Sequence, residues 1–403
     1  MMARFHAFVC GPSLLTLSLS ILIAVLPLLG LLSAMAMTPA LIIAAVLLAA
    51  LAGWRAVLDH PHRPLWIALG AGLAWAVLSA AWSITPGTSA LTALRVGVLM
   101  ALGAAAYIYA GRVALSPRAG LGLALALVVC ITALLTELIP GGGVLRWAHG
   151  ALGLEYARFI DKNINRGLCA LVILSWPAMV VLQTAGQGRI ALVLPALLAV
   201  PVFGFDSRSA QLALVMGLLA YLAVRAAPKF MPRALAIVIP AALIIWPIAF
   251  PLLDRALFSE AAIYDALPGT AQHRVEIWRF VTERIAEKPM LGWGMDTSRA
   301  MPGGDVMYQG ERKYLPLHPH NSALQILLEL GVVGFALAVG LVALALRRWA
   351  AVDAPPHAQA AAAGLIVAYL CIGFTAFGVW QCWWIALGWL AAVLGRGWGH
   401  EKT

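Results

Sequence analysis

The stretch "HPHNSALQILLELGVVGFALAVGLVALALRR", residues 318–348, opens on two histidines and an asparagine and closes on two arginines. Between them lies a long apolar run whose one charge is Glu329. A run of this length that leaves on paired arginines reads as a helix crossing a membrane toward a basic, cytoplasmic side. From residue 320 to 346 it would be about 40 Å long at 1.5 Å per residue, roughly 10 Å more than the hydrocarbon of a bilayer. The first two turns are therefore expected above the lipid, with His320 in a vestibule. Eleven residues make about three turns, so His320 and Gly331 would share a face, flanked by Leu324, Leu327 and Leu328. Gly331 and Gly334 would let another chain come close. Glu329 falls on the opposite side and needs a polar partner at that depth.

The rest of the chain repeats this pattern. Its 403 residues are 63% hydrophobic and 11% charged, with mean hydropathy +0.91. A soluble protein could not bury so much apolar surface. The absence of two-residue alternation argues against a β-barrel. The reading is an all-α polytopic membrane protein, a single integral membrane domain over 1–403, with about twelve spans. They fall near 13–36, 38–53, 65–82, 90–110, 120–138, 167–184, 190–205, 209–224, 234–252, 321–346, 358–376 and 381–395. Spans two, seven, eight and twelve are short for a bilayer. The first resembles a signal peptide, with Arg4 before it and Ala34-Met35-Ala36 after it. Its apolar stretch is too long for a cleaved one, and it is read as an uncleaved helix.

With both termini placed in the cytoplasm, the inner segments hold thirteen of the 27 basic residues and three of the 17 acidic ones. The inner side then carries the whole net charge of +10, as the positive-inside rule requires. The basic balance thus implies contact with anionic membrane lipid and no nucleic acid. Cys10, Cys130, Cys169, Cys371 and Cys382 lack metal-ligand spacing and read as small packing residues.

Two long connections face outward. One, residues 139–166, begins "IPGGGVLRWAHG", a glycine-rich turn before an aromatic and basic stretch. The other, residues 253–320, has the composition of a soluble segment. Within it "HRVEIWRFVTERIAEKPMLGWG", residues 273–294, places Val275, Trp278, Val281 and Ile285 on one face of an amphipathic helix. Thr270 is its expected N-cap, and Pro289 with Gly292 its end. This helix should lie near the outer membrane surface, over the mouths of the spans.

The ionisable groups that could do chemistry gather on that outer face. His320 can take a proton from a hydroxyl; it can equally cap or anchor the start of a helix, and position alone leaves both readings open. His318 has the same options, and zinc binding by the pair lacks a third ligand. Arg208, in "FDSRSAQLAL" (residues 205–214), sits at a helix start that Ser207 can cap, a good place for phosphate. The alternative is an ion pair with Asp206. Arg274 lies in the first turn of the amphipathic helix, where an anion is favoured, or is a solvated surface arginine. Arg95, in "LTALRVGVLM" (residues 91–100), must snorkel or find a partner. No Gly-rich nucleotide loop is present.

These residues bring a resemblance into view. His320-Asn321, nine residues, Gly331, two residues and Gly334 look like the His-[Asn/Ser/Gln]-x9-Gly-x-x-[Gly/Thr/Tyr] motif of the O-antigen ligase and polymerase superfamily of bacterial inner membranes. "SRSAQLAL" resembles the arginine-bearing start of that family's core, and residues 274–294 its Arg-x-x-x-Trp helix followed by Pro-x-x-Gly-x-Gly. The likeness is strongest over residues 195–346. It implies a membrane-embedded, GT-C-like glycosyltransferase that uses no metal or other cofactor. The donor would be O-antigen polysaccharide on undecaprenyl diphosphate, and the acceptor a sugar of the lipid A-core oligosaccharide. By this resemblance His320 is the general base, with His318 and Asn321 as secondary candidates. Arg208, Arg274 and Arg95 hold the diphosphate at a periplasmic active site. An O-antigen polymerase of the same superfamily is the nearest alternative. A twelve-helix secondary transporter is the alternative of another class, against which stand the missing repeats and the one-sided ionisable groups.

Overall fold

The computed structural model describes residues 13–57, 63–153, 155–159, 163–310 and 312–399. Arg4, Cys10, Asp59, Glu401 and Lys402, which entered the charge and cysteine reading, lie outside these residues. The chain is a bundle of apolar helices. In order these are α1 (Leu14–Leu32), α2 (Met37–Ala52), α3 (Arg63–Leu78), α4 (Pro86–Ala110), α5 (Pro117–Glu137), α6 (Asn165–Thr184), α7 (Gly188–Gly204), α8 (Arg208–Ala226) and α9 (Met231–Leu253). After the amphipathic α10 (Gly269–Glu287) come α11 (Ser322–Ala351), α12 (Pro356–Gly373) and α13 (Cys382–Gly399).

Among the described residues, ten helices are long and apolar enough to cross a membrane, against the twelve spans expected. The two that fall short are α7, with 17 residues, and α13, whose apolar run is diluted by tryptophan, glycine and Arg396. Both are helices nonetheless, at the places expected for spans seven and twelve.

In lipid the hydrophobic effect does not drive helices together, so close van der Waals packing must. The sequence supplies small residues for it. The indole of Trp176 on α6 lies against Gly217 on α8 and Gly364 on α12, where a Cβ would stand 2.6 Å and 2.3 Å from the ring. Helix α6 is buried on nearly every side, from Gly167 to Leu182, as a helix apolar all round should be at the centre of a bundle. Around it α8 packs on α12, α1 on α5, α4 on α13 and α9 on α11. Large apolar side chains such as Ile43, Leu94, Leu125 and Ile245 are exposed and form the surface that faces lipid.

The long loop before α11 is folded over the bundle. Helix α10 buries Val275, Ile277 and Val281, and Ile277 and Val281 share an apolar cluster with Leu324 and Leu328 of α11. Trp278 meets Trp246 and Phe250 of α9 edge to face, at 5.5 Å and 5.3 Å. The apolar face is thus the one expected with Ile277 added, and it rests on helix ends. Thr270 is not the N-cap. The helix begins at Gly269, two residues earlier than that cap implies, after Pro268, whose fixed φ and extended ψ already set the start. A two-stranded hairpin, Met307–Tyr308 with Arg312–Lys313, decorates the same loop.

Helix α11 departs most from the sequence reading. It is not one rod from residue 320 to 346. Gly331 has φ 65° and ψ −172°, which divides it into a short N-terminal piece and a long C-terminal one. His320 precedes the helix and is itself left-handed, with φ 54°. His320 and Gly331 therefore do not share a helical face.

Candidate active site

The break at Gly331 frees backbone groups that a helix would pair internally, and the loop takes them up. Leu328 O accepts from Trp293 N at 3.0 Å and Glu329 O from Gly294 N at 2.8 Å. Val332 N donates to Pro289 O at 2.8 Å. The indole of Trp75 donates to Leu330 O at 3.0 Å. Two glycines make this contact: a Cβ on Gly331 would stand 2.2 Å from Met290 O, and one on Gly292 2.5 Å from the carbonyl carbon of Glu329. The Pro-x-x-Gly-x-Gly and x9-Gly segments are thus two halves of one backbone clasp. It also buries Glu329 completely. That carboxylate accepts from Asp296 N at 2.6 Å, Trp380 Nε1 at 2.5 Å, Gln325 Nε2 at 3.2 Å and the Ser298 hydroxyl. It has the polar partners expected.

The clasp fixes the N-terminal piece of α11, and that piece fixes the histidines. Asn321 caps it, its Oδ1 accepting from Leu324 N at 3.1 Å. Ser322 donates to Gly373 O at 2.7 Å, and Trp278 Nε1 donates to Pro319 O at 2.9 Å. His320 Nδ1 lies 2.7 Å from Ala376 O. A carbonyl only accepts, so Nδ1 carries the proton and the lone pair of His320 is on Nε2. The His320 backbone N–H donates to His318 Nδ1 at 3.2 Å, which puts the His318 proton on Nε2. The two rings are 4.4 Å apart and hold opposite tautomers.

Both imidazoles are held neutral. Burial pushes His320 down to about 4, against the Ala376 carbonyl, with the nearby Arg274 and His273 lowering it further. Burial, His320 and Arg299 push His318 down to about 3.

The arginines separate into three places. Arg274 lies one turn before Trp278 on α10, is half-buried, and is close enough to act on His320; burial lowers its own proton affinity. Arg208 is exposed and pairs with Asp206 at 2.9 Å, the alternative read from sequence. Ser207 does not cap α8 with its side chain; its hydroxyl donates instead to Asn165 Oδ1 at 2.5 Å. The start of α8 still touches the site, since Ser209 donates to Thr375 O at 3.3 Å, next to the carbonyl that holds His320. Arg95 shares a cavity with His318 and not with His320. That cavity, of about 430 Å³, is also lined by Arg166, Arg299, Gln325 and Trp380.

Comparison with known proteins bears on what this arrangement belongs to. The O-antigen ligase family model matches residues 190–339. A Rickettsia felis protein named "Putative polysaccharide ligase" is 31% identical over 80% of this chain and 77% of its own length. The chain belongs to the O-antigen ligase family. Relatives of the same printed activity from Rickettsia conorii and Rickettsia prowazekii are 32% and 30% identical, over 57% and 61% of this chain and 56% and 62% of their own.

In this O-antigen ligase family member, the family match runs from α7 to the upper part of α11 and takes in Arg208, Arg274, Trp278, His320 and Gly331. Sequence reasoning missed Arg166, Arg299 and Trp380. Arg166 stands half-buried in the first turn of α6, and the cavity it lines is assembled from distant segments that leave no mark in composition. Arg299 and Trp380 reach the cavity through the folding of two loops, which no local spacing encodes.

Proposed function

We propose that this protein is a glycosyltransferase that moves O-antigen polysaccharide from undecaprenyl diphosphate to a sugar of the lipid A-core. The reaction would take place on the periplasmic face of the inner membrane, with both chain termini in the cytoplasm. The observation that carries the reading is the His320 ring: its Nδ1–H is tied to Ala376 O, its Nε2 is left to accept, and the charge of Arg274 is near enough to lower its proton affinity.

In the reaction the acceptor hydroxyl attacks the anomeric carbon of the donor sugar and passes its proton to His320 Nε2. The bond from that carbon to the diphosphate oxygen breaks, and undecaprenyl diphosphate leaves with the electron pair. Arg274 and Arg208 neutralise the negative charge that grows on the leaving oxygens. The low proton affinity of His320 fits this order of events. Burial and Arg274 keep the base neutral while the site is empty. A bound diphosphate offsets the charge of Arg274 and favours the imidazolium, so the base strengthens when the donor arrives.

The test gives purified protein undecaprenyl-diphosphate glycan and lipid A-core, with products resolved on a gel. Ligated lipopolysaccharide supports the reading. Lengthened glycan still on undecaprenyl diphosphate would make the protein a polymerase, and neither product would refute both.

A further inference from the structure

The cavity of about 430 Å³ lies on the His318 side of the histidine pair and is lined by Arg95, Arg166 and Arg299. Its volume is within the roughly 300–1,000 Å³ of small-molecule sites. Among the described residues, three guanidiniums face one carboxylate there. Asp296 approaches Arg299 at 3.7 Å and is also held by Thr92, which donates to it at 3.0 Å. Arg95 and Arg166 pair with no carboxylate among the described residues. The third turn of α4, the first turn of α6 and the loop before α11 supply these three cations from separate elements. Trp380 and Trp383 add ring surface, and His318 carries its proton on Nε2 as a further donor. Excess guanidinium charge, hydrogen-bonding groups and aromatic faces together suit a phosphorylated sugar.

We infer that this cavity binds a phosphorylated sugar of the acceptor oligosaccharide, so that Arg95, Arg166 and Arg299 anchor the acceptor rather than the donor diphosphate. The inference rests on the proposed transfer reaction, in which the donor diphosphate occupies the Arg274 side of His320. Acceptor and leaving group must approach the reacting carbon from opposite sides. The His318 side is the one left, and its cations are otherwise unused. The anchored sugar would be a neighbour of the one that reacts, because the cavity is lined by His318 and not by His320.

The experiment measures binding without turnover. The protein in nanodiscs is titrated with core oligosaccharide before and after phosphatase treatment, and separately with undecaprenyl diphosphate. The wild type should bind the phosphorylated core at least about tenfold more tightly, the scale of one lost charge-assisted contact. Arg95→Gln and Arg166→Gln should remove that preference and keep undecaprenyl diphosphate binding, with an unchanged melting temperature in detergent showing independently that they fold. Equal binding of the two core forms by the wild type overturns the inference. So does loss of undecaprenyl diphosphate binding in either folded variant, which would make the cavity the donor's. Phosphate-dependent core binding by a wild type that transfers nothing would leave the cavity assignment standing and remove the reaction.

Discussion

His320 combines two demands on one residue. Its φ of 54° is a conformation that asparagine and histidine tolerate better than most side chains, and its ring must present a lone pair at Nε2. His320→Asn separates the two. It should keep the wild-type melting temperature in detergent and lower transfer by about 10²–10⁴-fold, the usual contribution of a general base. Donor binding should survive. The pH dependence has a definite sign. A base works above its pKa, so activity falls as pH drops through it. With His320 down to about 4, the acid limb of kcat/KM, which reports the free enzyme, should lie near pH 4 and not near the ordinary histidine value. A limb at the ordinary value would place the base elsewhere. Arg274→Lys should weaken donor binding by about tenfold or more, since an ammonium cannot reproduce bidentate contact with a phosphate. Arg208→Lys should do less, because Arg208 is exposed and shares its charge with Asp206. His320, Asn321 and Arg274 could be picked out from sequence because each sits in a short local motif that carries the family resemblance. The tautomers of His318 and His320 could not, because Ala376, which sets one of them, is 56 residues away.

The element that decides the geometry is α11 with its clasp. In sequence, "LLELGVVGFALAVG" reads as uninterrupted helix, because glycine is ordinary in membrane spans and nothing local shows that Gly331 leaves helical φ and ψ. The information lies in a second segment, residues 289–294, and becomes legible only when the two are placed together. The amphipathic period of α10 was readable from Val275, Trp278 and Val281, whereas Ile277 was not, because its neighbours come from two different elements. Gly331→Ala should destabilise by more than the roughly 0.4–1 kcal/mol that such a change gains at a position alanine accommodates, because the new methyl meets the Met290 carbonyl as well as an unfavourable φ. A fall in melting temperature larger than that of Gly340→Ala, where a Cβ meets nothing, would check this. Trp278→Phe removes the bond to Pro319 O while keeping the ring on Phe250. A loss of about 0.5–1.5 kcal/mol is expected, with a larger proportional loss of activity because the histidine turn hangs from that carbonyl.

At the scale of the molecule, the helices carrying Arg95, Arg166, Arg208 and the histidine turn all begin at the end covered by the long loop. Composition and the placing of positive charge were enough to read that arrangement, because bilayer thickness and lipid charge act on every span alike. The number of helices that qualify as spans was less readable, since α7 and α13 lie at the margin of length and hydropathy. A single cysteine at Ser259, in the exposed part of the loop, should react with a membrane-impermeant maleimide in spheroplasts, in a background without the native cysteines. One at Asp353 should react only after the membrane is opened. The reverse pattern would invert the proposed orientation. The break at Gly331 also bears on biogenesis. Unpaired backbone groups in hydrocarbon cost several kcal/mol each, so α11 is a poor candidate for lipid until residues 289–294 fill its gap. Those residues are synthesised first. In the proposed orientation the loop must therefore already be waiting on the far side when the insertion machinery releases this helix, and a chain delayed in exporting it would stall at α11.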